Sequence, residues 1–201
     1  MTRYGDRLAG LLGASASLAW CAYHIDTTRG PWSFQAILFY ALQIQVAVLF
    51  VRRRDPLAAC TRLSMWLICG ASLVGVVLFD FSAPSEGASG AVADGLTLAG
   101  GTLTILGFAT LGKGFGVLPA FRQLASSGPY AVVRHPVYAG YLLMDCGILL
   151  ANRQAVNLAV VACNASLLVA RIQKEEQVCA ALGPYRDYMA RVRYRLIPGI
   201  Y

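Results

Sequence analysis

Six apolar runs, at residues 8–25, 34–51, 63–81, 96–112, 137–151 and 155–170, decide what this chain can fold into. Most approach the ~17 to 25 residues that a helix needs to cross a bilayer. In hydrocarbon the backbone has to satisfy its own hydrogen bonds, so each run is expected to be helical. The fifth run is the shortest and could be partly re-entrant, which makes five spans the alternative to six. Only Asn152, Arg153 and Gln154 separate the last two runs, a link short enough to impose an antiparallel hairpin. The expected fold class is all-α: a polytopic integral membrane helical bundle of five to six transmembrane helices with a cytosolic C-terminal helical segment.

Composition supports this. The 201 residues are 57% hydrophobic and 13% charged, whereas soluble domains carry about 25% charged residues. A water-soluble globule is excluded, and the length suits a single domain, 1–201. The net charge of +7 points to anionic lipid headgroups rather than nucleic acid, because the arginines flank the apolar runs. Arg3 and Arg7 ahead of the first run imitate a signal peptide, but the run continues without a convincing cleavage site and is expected to be a retained span. Four of the six cysteines, Cys21, Cys69, Cys146 and Cys163, sit in apolar runs. Cys60 and Cys179 sit in Arg-rich segments and no C-x-x-C pair occurs, so neither a metal site nor redox chemistry is expected.

Fifteen of the 17 basic residues fall on one side of the proposed spans; only Arg29 and Arg153 fall on the other. Both termini and the 52–62 loop are therefore expected in the cytoplasm. The 82–95 loop agrees, since it carries Glu86 and Asp94 with no Lys or Arg. Its Gly, Ser and Ala content suggests a flexible external connector. No internal repeat is visible.

Two stretches on the cytoplasmic side, 113–136 and 171–201, have the residue types that chemistry needs. The first leads through Ser127-Gly128-Pro129-Tyr130 to Arg134-His135-Pro136-Val137-Tyr138-Ala139-Gly140. Pro136 suits a first helical turn, whose free N–H groups and positive dipole end form an anion site beside Arg134. The plainer alternative is a Pro-initiated span anchored by an arginine. The second stretch extends the sixth span as Arg171-Ile172-Gln173-Lys174-Glu175-Glu176-Gln177 until Gly183-Pro184 breaks it. Glu175 and Glu176 then sit at headgroup depth facing the anion site, or are merely solvated charges. Tyr185, Tyr188, Met189 and Val192 share a helical face, which suggests an amphipathic helix on the membrane surface.

Other polar residues carry less. Gly112-Lys113-Gly114-Phe115-Gly116 follows a span rather than a strand and lacks Walker spacing, so it is expected to be a flexible link or a backbone approach to ligand. Asp145 lies on the Tyr138 face of its helix and either lines an acceptor pocket or pairs with Asn164. Gln43 and Gln45 point to different faces and suit interhelical hydrogen bonding. His24, near Asp26, is remote from these stretches and has no assigned role.

Gly128-Pro129-Tyr130, Arg134-His135-Pro136-x-Tyr138-x-Gly140, Glu175-Glu176, Tyr185-x-x-Tyr188 and Arg195-Leu196-Ile197-Pro198 occur in an order and spacing that resembles a known family. It is that of the membrane methyltransferases related to isoprenylcysteine carboxyl methyltransferase and the phospholipid methyltransferases. The resemblance covers roughly residues 111–201; the N-terminal spans match only as generic helices. It implies S-adenosylmethionine held between the last membrane hairpin and the C-terminal segment, and divides the domain into N-terminal spans, 1–112, and a cofactor-binding and catalytic half, 113–201. The implied cofactor-binding residues are Gly128, Pro129, Tyr130, Arg134, His135, Pro136, Tyr138, Gly140, Glu175, Glu176, Tyr185 and Tyr188, with Arg134, His135 and Glu176 also catalytic. Arg134, His135 and the helix start suit the cofactor's carboxylate, Glu175 and Glu176 its amine and hydroxyls. Faces of Tyr138, Tyr185 or Tyr188 suit its sulfonium.

The expected activity is methyl transfer to a lipophilic small-molecule or prenylated acceptor in the membrane, with O-methylation of an isoprenylcysteine-like carboxylate or another small lipid favoured. A carboxylate needs no base, whereas a phenol would draw on His135 or a glutamate. Phospholipid N-methylation is the nearest alternative. A noncatalytic membrane binding or transport protein is another, although transport through Asp145 would need more intramembrane charges than the spans contain. The soluble methyltransferase fold is excluded, since no strand leads into a G-x-G-x-x-G turn.

Overall fold

The structure is a computed structural model. It describes residues 34–56, 58–59, 88–116 and 120–201, with isolated helical positions between 11 and 22 and between 64 and 71. The runs expected at 8–25 and 63–81 thus lie largely outside the described residues. The described chain is mostly helical: α1 (Phe34–Arg52), α2 (Ala88–Leu111), α3 (Pro136–Ala151), α4 (Ala155–Cys179) and α5 (Gly183–Arg191). The exception to the all-α expectation is a two-residue antiparallel ladder of β1 (Ala58–Ala59) with β2 (Ala120–Phe121), Ala58 opposite Phe121 and Ala59 opposite Ala120.

Among the described residues, two helices are long and apolar enough to cross a membrane: Gly90–Gly114, which is α2 with the turn that follows it, and Ala155–Cys179. The latter has 25 residues. At about 1.5 Å per residue such a helix exceeds the ~30 Å hydrocarbon layer. Its apolar run ends at Ala170, so the part from Arg171 onward extends beyond that run. At 16 residues, α3 is shorter.

α2 begins at Ala88, and so takes in the second half of the loop expected at 82–95; residues 82–87 lie outside the described residues. Of that stretch Ala93 is buried, and it belongs to the small-residue contact, continued by Thr97, Gly100 and Thr104, along which α2 lies against α3. A Cβ on Gly140 would collide with the Thr104 side chain and come within 2.6 Å of the Gly100 carbonyl oxygen; one on Gly147 would collide with Thr97 and lie 2.8 Å from the Ala93 carbonyl oxygen. Thr97 and Thr104 turn their hydroxyls back onto Ala93 and Gly100, both at 2.9 Å, leaving no donor exposed at the contact. Close backbone approach of this kind gives van der Waals attraction in a medium where the hydrophobic effect does not drive helices together.

The link after α2 is ordered rather than flexible. It is a 3-10 turn, Gly112–Gly114, with Gly112 at φ 51. It drives Phe115 into the core, edge-on to Phe50 at 5.0 Å and to Phe108 at 5.5 Å. Gln45 of α1 donates to the Ile105 carbonyl of α2 at 3.1 Å, the interhelical bond its position suggested.

Segments expected on one side of the membrane do gather at one end of the bundle. Arg54 N–H donates to Lys113 O and Arg122 Nε to Arg54 O, each at 2.8 Å, beside the β1–β2 ladder, and α4 packs on both strands. One expectation is corrected. The apolar face of α5 is covered by protein rather than left for a membrane surface: Tyr185 and Tyr188 are buried with Cys179 and Val192, and half-buried Phe121, Leu124 and Met189 pack against them. Amphipathicity shows that a face needs cover, and here the protein supplies it.

Gly140→Val and Gly147→Val are each expected to destabilise the fold by about 1 to 3 kcal/mol through overpacking, read as a lower melting temperature in detergent. Gly95→Ala, where an added Cβ meets nothing within 4 Å, should not lower it.

Candidate active site

The approach to α3 is a tight piece of chain. Ser127 is extended, Gly128 adopts φ 54, and Pro129 opens a 3-10 turn, Gly128–Ala131, that buries Tyr130. Tyr188 of α5 donates its hydroxyl to the Tyr130 carbonyl at 2.7 Å, tying this turn to the C-terminal helix. His135 then caps α3, and Pro136 occupies the first helical position, where a missing N–H costs nothing. Backbone N–H groups of Arg134 and His135 donate to Tyr194 and Arg195 carbonyls, both at 2.9 Å. Residues 192–195 therefore lie as a strap along the start of α3.

Arg134 and Glu176 form the centre. The Arg134 guanidinium is 7% exposed; its Nε donates to Glu176 Oε1 at 2.6 Å, and its Nη1 to the carbonyls of Val192 and Arg193, both at 2.7 Å. Glu176 also takes His135 Nε2 at 3.2 Å on Oε1 and Arg195 Nε at 2.9 Å on Oε2. One carboxylate thus ties the α3 start, the α4 extension and the strap. Burial works against the Arg195 charge, but its bond to Glu176 outweighs this and holds its pKa above the ordinary value.

A second cluster lies beside the first. Glu175, half-buried, accepts the Tyr138 hydroxyl at 2.9 Å on Oε2. The Tyr138 ring stacks on His135 at 5.6 Å, and the buried Arg171 guanidinium stands over it at 5.2 Å. Deeper along the hairpin, Asn164 donates to Asp145, and Asn157 to the Asn152 carbonyl at 2.8 Å. On α4 the three residues Asn157, Asn164 and Arg171 are seven apart, as are their counterparts Asn152, Asp145 and Tyr138. The hairpin has a polar rung every two turns.

The other expected site residues sit nearby in differing roles. Gly140 packs against α2 and Pro136 is buried at the helix start. Tyr130, Tyr185 and Tyr188 are buried. Burial pushes the Tyr188 phenol up to about 12, with Glu176 adding to the effect and Arg134 opposing it. Tyr130 and Tyr185 are raised by burial too, with Glu175 contributing. All three phenols stay protonated at neutral pH. Sequence reasoning gave no site role to Arg171 or Arg195. The heptad spacing of Asn157, Asn164 and Arg171 was the available signal for the first.

Comparison with known proteins returns one family. The model of the isoprenylcysteine carboxyl methyltransferase family matches residues 95–181. The match takes in Arg134, His135, Tyr138, Arg171, Glu175 and Glu176, and stops short of α5 and the strap. No curated protein matches the chain.

Glu176→Gln or Arg134→Ala removes one partner of a buried ion pair and is expected to cost about 3 to 5 kcal/mol. The double variant should cost less than the two combined. Denaturation in mild detergent measures all three, and costs that add within about 0.5 kcal/mol would show the pair to be uncoupled.

Proposed function

We propose that this chain, whose residues 95–181 match the model of the isoprenylcysteine carboxyl methyltransferase family, transfers a methyl group from S-adenosylmethionine to the oxygen of a lipophilic acceptor at the cytosolic face of a membrane. The observation that carries this reading is the clustering, within the matched region, of His135, Tyr138, Arg171, Glu175 and Glu176 at one end of the bundle. A water-soluble cofactor and a membrane-dissolved acceptor can meet only at such an end. The excess of basic residues in the segments gathered there supports the cytosol as its side, and the apolar runs support a multi-pass protein of five to six spans.

The donor set fits the cofactor. Glu175 receives one bond, from Tyr138; a carboxylate has about four lone-pair sites, so it retains acceptor capacity for an amine or ribose hydroxyl. His135 adds an aromatic face suited to a sulfonium, its ring held by stacking on Tyr138. When bound, the cofactor supplies an electrophilic methyl group for in-line displacement. The protein's part is to orient the partners and exclude water.

The contacts of Arg134, His135 and Glu176 support a different division of roles among them from the one expected. With its guanidinium on Glu176 and two carbonyls, Arg134 acts as a positioning residue that holds the strap over the helix start. Glu176 serves the same frame. Orientation of an acceptor carboxylate is assigned to Arg171, a buried guanidinium just past the apolar run of α4, at the depth where the polar end of a lipid lies. His135 remains the candidate base for a phenolic acceptor. Asp145, engaged by Asn164, belongs to the hairpin and gives a transport reading little support.

Purified protein incubated with methyl-labelled cofactor and a panel of farnesylcysteine analogues, phenolic lipids and phosphatidylethanolamine is expected to label a carboxylate acceptor. Labelling of phosphatidylethanolamine alone would replace oxygen by nitrogen as the target, and tight cofactor binding without turnover on any lipid extract would indicate a binding module. Cofactor affinity should be micromolar, about −8 kcal/mol, by calorimetry. Arg134→Ala and Glu176→Gln should weaken it, and unchanged binding in both would remove them from the site. Arg171→Lys should raise KM for a carboxylate acceptor while leaving cofactor affinity unchanged.

A further inference from the structure

Beyond Arg195 the strap makes a hydrogen-bonded turn whose purpose the site does not explain. N–H groups of Arg195, Leu196 and Ile197 all donate to Tyr201 O, at 2.9, 2.7 and 3.0 Å, and Ile200 and Tyr201 N–H return to Ile197 O at 3.1 Å. Gly199, at φ 85, makes the reversal possible. The tip is Ile197-Pro198-Gly199-Ile200. Each of the four is exposed, Ile197 to 49% and Ile200 to 79%, and none has a polar side chain. Leu196, just before it, is buried.

A wholly apolar tip facing water is unfavourable, and its place beside the start of α3 indicates what covers it. Arg134 N–H bonds Tyr194 O and His135 N–H bonds Arg195 O, so the two segments advance in the same sense. One residue past His135 the first becomes α3, which runs into the apolar bundle. The strap is level with it at Arg195, then bends through residues 195–197 into the turn, so the tip lies within a few residues of the point where α3 begins. Exposed Val132, four residues before α3, and half-exposed Tyr194 lie in the same two segments, with exposed Arg191 and Arg193 behind them. An apolar tip backed by arginines is the chemistry of insertion into a bilayer with anionic headgroups.

We propose that the Ile197–Ile200 turn inserts into the interfacial layer of the membrane and anchors the strap that supplies Arg195 and the Val192 and Arg193 carbonyls to the Arg134–Glu176 centre. The membrane then helps hold the site together, from a part of the chain outside the spans. This inference rests on α3 entering the bilayer and not on methyl transfer.

The full chain in nanodiscs of phosphatidylcholine and phosphatidylglycerol tests it, with an environment-sensitive fluorescent amino acid in place of Ile200 or, as control, of exposed Asp187. At 200, emission should be blue-shifted and quenched by lipid spin-labelled near the glycerol end of its acyl chain. At 187, aqueous iodide should quench instead. Iodide quenching at 200 equal to that at 187 overturns insertion, and so does protection from both quenchers, which would mean that protein covers the tip. In the same nanodiscs, Ile197→Ser with Ile200→Ser should speed amide exchange of residues 193–196 without changing that of α3. Unchanged exchange at 193–196 overturns the anchoring.

Discussion

A buried carboxylate receiving Arg134, Arg195 and His135 is the contact on which the working end of this protein depends. Bringing charges out of water is costly, and a single ion pair often fails to recover that cost. Here the acceptor oxygens and the Arg134 donors are shared among α3, α4 and the strap. Two backbone carbonyls complete the arginine's set. The arrangement gains specificity rather than raw stability: no other register of strap against helix start would bring two carbonyls and a carboxylate to one guanidinium.

That centre is only as well placed as the helices beneath it. α3 is fixed on one side by α2, through glycines too close to threonines and carbonyls to accept a methyl group. On its other side the polar rungs to α4 set the hairpin's register, because a one-residue slip would leave Asp145 and Arg171 facing apolar neighbours. The last rung, Tyr138 with Arg171, delivers the Tyr138 hydroxyl to Glu175, adjacent in sequence to Glu176. Packing in the apolar part and polar chemistry at its end are therefore one continuous structure.

Much of this was legible in the sequence, and the remainder was hidden for identifiable reasons. Apolar runs marked α1, α3 and α4, and the three-residue link marked the hairpin. The resemblance brought Arg134-His135 and Glu175-Glu176 to the same place. The start of α2 was hidden, since Gly, Ser and Ala read locally as a connector, while the contact of Ala93 with Gly147 of α3 involves a neighbour the local composition does not reveal. α5 has the amphipathic pattern of a surface-lying helix, and the pattern cannot distinguish lipid from Phe121 and Leu124 as cover. Arg134 looked like a ligand's cation because its partners on the strap are main-chain carbonyls 58 and 59 residues away. A carbonyl has no signature in the residue that carries it. Asp145 had its correct partner, Asn164, among the alternatives because both belong to apolar helices that the short link brings together.

The polar rungs of the hairpin also bear on how the chain enters a membrane. Inserted alone, α4 would present Asn157 and Asn164 along one face to lipid, and α3 would present Asp145; polar groups like these are costly for a solitary helix. Together the two helices satisfy one another before either meets hydrocarbon. The link at Asn152 to Gln154 is short enough to keep them adjacent as they leave the ribosome, so the energetics favour delivery of α3 and α4 to the bilayer as one unit.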